Sequence, residues 1–77
     1  MKANAIPYHH WIEWSDEDQC YIGFCPDLFL GGVCHGEDEE EVYSRLIAVV
    51  REEVQDLRVE GKPLPAVSVR PMRELVA

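Results

Sequence analysis

The sequence predicts an α+β domain of order β-β-β-α-β, a small, mostly antiparallel sheet with one long helix packed on one face. Three observations predict it. Stretches rich in aromatic and β-branched residues, broken by turn residues, fill the first half, as half-buried strands require. From Asp38 to about Glu60 the apolar residues Val42, Leu46, Val49, Val50, Val54 and Leu57 recur at three- and four-residue spacing, the period of one helix face. Val67 and Val69 then alternate with Ser68 and Arg70, which reads as a returning strand. With 77 residues the chain is expected to form one domain over 1–77, burying about 60% of its unfolded surface. So small a core favours self-association, and a homodimer or higher oligomer is expected.

Strand one is expected over Tyr8 to Trp14. On a two-residue period Tyr8, His10, Ile12 and Trp14 share one face while His9, Trp11 and Glu13 share the other, so aromatic surface is divided between both. Ser15 to Gln19 is a polar turn, and Cys20 to Cys25 forms the second strand of an antiparallel hairpin. Gly23 inside that strand marks a bulge or a close backbone approach. Pro26 lacks an N–H and ends the strand, the chain turns around Asp27, and a short third strand returns through Val33 among Gly31, Gly32 and Gly36. Asp38 caps the helix with Glu41 three residues on, a capping-box spacing, and the acidic first turn suits the positive end of the helix dipole. Glu41 and Arg45 form an i,i+4 pair, and Glu53 falls inside the apolar arc, at the core edge or in an interface. Gly61 stops the helix, and Lys62-Pro63-Leu64-Pro65 prevents its resumption. The helix then returns the chain parallel to an earlier strand as strand four.

The stretch Pro26-Asp27-Leu28, the later Gly36, the acidic pair Glu40-Glu41 followed by Val42, and the exit Glu60-Gly61-Lys62-Pro63-Leu64-Pro65 resemble the HicB family of antitoxin-like domains. The resemblance spans about Tyr8 to Pro65. It departs at Phe29-Leu30, where the family usually has Pro-Gly, and in a turn about one residue longer. The resemblance implies a partial ribonuclease-H-like fold and a non-enzymatic protein with no cofactor; a cytoplasmic place is expected from the sequence itself, which holds no membrane-length apolar run and no hydrophobic signal core. It also implies a partner, a small basic toxin of the HicA type that cleaves messenger RNA. Family members commonly carry a C-terminal DNA-binding domain; here only Pro71 to Ala77 follows strand four, so direct operator binding is not expected.

The charge points the same way. A net charge of −8 disfavours phosphate contacts, which need clustered Lys and Arg, and favours a basic protein partner. No apolar run is long enough to span a membrane, and no hydrophobic signal core follows Met1. Cys20, Cys25, Cys34, His9, His10 and His35 lack the paired Cys-x2-Cys spacing of structural zinc sites. A Cys34–His35 hydrolase pairing fails because strand neighbours point to opposite faces. The topology also admits an Mg²⁺-dependent nuclease, but Glu13 is the lone carboxylate on the first two strands. The expected partner-binding residues are Asp27, Leu28, Phe29, Glu37, Glu39 and Glu40, an apolar run in a turn beside a solvated acidic helix start; the other reading of Leu28, Phe29 and Leu30 is that they close the end of the core, and of the glutamates that they form a solvated face. The alternative is an orphan HicB-like domain that binds a different protein or itself.

Overall fold

The computed structural model describes residues 6–68. Its elements are β1 (Trp11–Ser15), β2 (Cys20–Phe24), β3 (Gly32–Gly36) and α1 (Glu39–Val59). Among these residues the sheet has three strands in the order β1-β2-β3, antiparallel throughout, with α1 on one face. The α+β class is therefore as the sequence predicts. Of the expected fourth strand, Val67 and Ser68 fall in residues 62–68, which carry no strand, and Val69 and Arg70 lie outside the described residues.

The helix packs through one ridge. Val42, Leu46, Val50 and Val54 follow one another at four-residue steps and are buried, while Val49 and Leu57 flank them half-buried. Glu53 is half-buried, as its place in the arc implies. Against this ridge the sheet presents Gly23, where a Cβ would lie 3.2 Å from Leu46 Cδ1, and Gly36, where one would lie 2.9 Å from Val42 Cγ2. The core of Tyr8, Cys25, Leu46, Val50 and Val54 closes where the chain enters β1 and leaves β2.

Both helix ends are built from local chemistry. Asp38 keeps an extended backbone and its Oδ1 accepts from the Glu40 amide at 3.2 Å, using the second helical N–H rather than the third. The Glu41 carboxylate lies 4.0 Å from Arg45, exposed, while Arg45 Nη1 donates to the His35 carbonyl at 2.8 Å and so ties α1 to β3. At the far end Gly61 takes φ +73°, with bonds from its N–H to Arg58 O (3.1 Å) and from Lys62 N–H to Leu57 O (2.9 Å). Those two bonds satisfy carbonyls that the last turn leaves open.

Strand one begins later than expected. Tyr8 turns inward, 2% exposed, and its hydroxyl donates to the Pro65 carbonyl at 2.6 Å, while His10 Nδ1 lies 2.7 Å from the Tyr8 carbonyl. The aromatic composition of the segment serves a core plug before it serves a ladder. The β1–β2 turn holds Gln19 at φ 54° and is secured by a bond from Asp18 N–H to Ser15 Oγ (3.2 Å). The irregularity anticipated at Gly23 is a register shift between Gly23 and Phe24 against β3.

Candidate protein-binding site

The six residues singled out from the sequence fall at two separate places. Glu37, Glu39 and Glu40 are exposed where α1 begins. Asp27, Leu28 and Phe29 lie in the β2–β3 turn, held by bonds from the Leu28 and Phe29 amides to Cys25 O at 3.1 and 2.9 Å. That turn sits toward the other end of α1: Tyr8 feels the charges of both Asp27 and Arg58, and Arg58 is in the last helical turn. A 21-residue helix is about 30 Å long, so the two groups do not share one small surface.

Within the turn, Leu28 and Phe29 are half-buried and pack on the core, closing its end; it is Leu30 that is 99% exposed. Asp27 is half-buried and accepts from the Ser68 amide at 3.2 Å and from the Ser68 hydroxyl. Its carboxylate thus fastens the segment after the helix to the turn. Burial, and next the Asp27 charge, push the Tyr8 phenol above its ordinary range, which keeps it neutral as the donor to Pro65.

At the acidic end the surroundings differ. Glu39 and Glu40 stand on the wall of an open groove of about 790 Å³ lined also by Ile12, Tyr43, Ile47 and Arg51. Ile12 is on β1, an edge strand of the described sheet, and Tyr43 stacks on His10 with ring centroids 6.1 Å apart. Tyr43 remains 43% exposed and Trp14, farther along β1, 45%. The arrangement is an apolar floor with two carboxylates at the start of the helix and one cation, Arg51, along its wall. Sequence reasoning missed Tyr43 and Ile47, although their i,i+4 spacing beside the buried ridge is the signal of a second, half-buried stripe.

Burial is the leading cause of the raised thiols of Cys25 and Cys34, so neither is an activated nucleophile, and Cys34 Sγ is spent on the Val42 carbonyl at 3.6 Å. Among the described residues no three of His, Cys, Asp and Glu come close enough together to hold a metal ion, and no helix is long and apolar enough to cross a membrane. Comparison with known proteins finds no matching family model, curated protein or solved structure.

Proposed function

We propose that this chain is a HicB-like antitoxin that neutralises a small basic toxin of the HicA type by covering the surface with which the toxin grips messenger RNA. One observation carries the reading: exposed carboxylates, Glu39 and Glu40, line one groove together with the apolar Ile12, Tyr43 and Ile47, with Arg51 as its one cation. An RNA-cleaving toxin presents a cationic face to phosphates, and a carboxylate wall competes for that face while the apolar floor excludes water from the contact. The chain itself performs no reaction; its role is occlusion. The anchor is Tyr43 rather than Phe29, because Phe29 already packs on the core.

Rim charges act on association and desolvated anchors on dissociation. Changing Glu37, Glu39 and Glu40 together to Gln is expected to slow association with the basic product of an adjacent reading frame by about tenfold and to flatten its salt dependence. The fold should survive, since Asp38 still caps α1. Tyr43→Ala is expected to raise the dissociation rate instead. Surface kinetics at two ionic strengths check both, and unchanged rates would remove the groove from the interface. A second reading, a domain that works mainly by binding itself, is favoured by Trp11 and Phe24, neighbours on β1 and β2 whose rings stack with centroids 5.3 Å apart.

A further inference from the structure

We propose that the groove beside α1 takes an extended segment of its partner as an added strand on the outer edge of β1. A Lys or Arg of that segment meets Glu39 and Glu40, and aliphatic side chains follow at alternate positions. The inference rests on the reading of this groove as a partner site and names what enters it.

The two edges of the described sheet are not equivalent. β1 pairs with β2 in unbroken register from Trp11↔Phe24 to Ser15↔Cys20, and its five residues include no proline or lysine. Among the described residues β1 has a strand on one side only. A straight edge without such blocking residues presents N–H and C=O groups that another chain can pair with. The β3 edge is blunted instead. Its pairing with β2 shifts between Gly23 and Phe24, and Arg45 Nη1 already holds the His35 carbonyl at 2.8 Å.

The groove lies where an added strand would place its side chains. Gly23 faces Leu46, so its register partner Ile12 is on the helix side of β1, and Trp14, two residues on, shares that side. Tyr43, Ile47 and Arg51 follow at four-residue steps along α1 and line the same opening as Ile12. A strand about 4.8 Å outside β1 sends every second side chain toward this stripe, covering the half-wet rings of Tyr43 and Trp14. Backbone pairing then supplies affinity and the alternate side chains supply specificity.

Length and charge define the segment. Glu39 and Arg51 are twelve residues apart on α1, a rise of about 18 Å. Extended chain covers that span in about six residues, an even step that leaves the side chains at both ends on the groove side. A cation is favoured at the Glu39 and Glu40 end and opposed near Arg51, so the matching segment carries its Lys or Arg at one end and not throughout.

The test uses the full isotope-labelled chain and a peptide blocked at both ends, Lys-Thr-Val-Thr-Val-Thr-Gln. Saturating peptide is expected to slow hydrogen exchange about tenfold or more at those amides of Trp11–Ser15 that point away from β2. Two further peptides carry N-methyl groups on alternate amides, odd positions in one and even in the other. One should lose binding and the other keep it, because a strand donates to a neighbour through every second amide. Lys→Glu in the peptide should weaken binding about tenfold at low salt. No protection at millimolar peptide, equal losses from the two methylated peptides, or indifference to Lys→Glu overturns the proposal. So does protection already present without peptide, whether in the dilute chain or growing with its concentration, because the chain itself or a second copy would then hold the edge. If the peptide arms fail while Tyr43→Ala still speeds release of the basic partner, the groove remains a partner site and only the added strand is lost.

Discussion

Replacing Leu46 by Ala is expected to lower stability by about 2–5 kcal/mol, the range for emptying a fully buried leucine site. Leu46 is 0% exposed and sits mid-ridge, and the strand opposite it offers Gly23, which has no side chain to lean into the space. The cavity can therefore collapse only by moving α1 bodily, and Val42 and Val50, also 0% exposed, resist that movement from either side. A domain of 77 residues commands a total stability of about 4–12 kcal/mol, so the variant should stand close to unfolding at room temperature. Urea titration should show a lower midpoint with an unchanged slope. Ile47→Ala, one residue along on the groove floor, should cost less because Ile47 is already half in water. Equal losses at the two positions would mean that the buried ridge does not bear the load assigned to it.

The helix was legible almost to the residue because its signals are local. Asp38, the acidic first turn, the four-residue apolar step and Gly61 lie within the segment they organise, and each works through bonds spanning a few residues. Strand one was not legible at its start, because the aromatic run from Tyr8 reads the same whether it extends a ladder or plugs a core. The difference lies in a bond between residues 57 apart, from Tyr8 to Pro65. The engagement of Asp27 is hidden for the same reason, because its partner Ser68 lies 41 residues on. The three apolar residues after Asp27 divide by burial, two inward and Leu30 outward, which no local pattern specifies. The acidic start of α1 was placed correctly on the surface because charge and capping agree there. Its apolar neighbours Tyr43 and Ile12 come from different elements and meet only once the sheet is formed.

Gly36→Val is expected to cost about 1–3 kcal/mol through overpacking. The glycine is there for space and not for backbone freedom: among the described glycines the positive φ angles belong to Gly31 and Gly61. At Gly36 even a Cβ would lie 2.9 Å from Val42 Cγ2. Val42 cannot yield easily, since a β-branched side chain in a helix has one strongly preferred rotamer and this one is fully buried. Its own amide is held by the Asp38 carbonyl at 3.0 Å, so relief must come from lifting the first turn of α1 off β3. Gly31→Ala is the contrast, open in space but strained at φ +70°, and no partner substitution should relieve it. The contact at Gly36 is pairwise, so a double-mutant cycle of Gly36→Ala with Val42→Ala should show the second change recovering part of the cost of the first. Strict additivity in urea titrations would place the strain elsewhere. Because Glu39 and Glu40 ride on the turn that moves, Gly36→Val should also slow association with the basic partner, whereas Gly31→Ala should leave that rate unchanged.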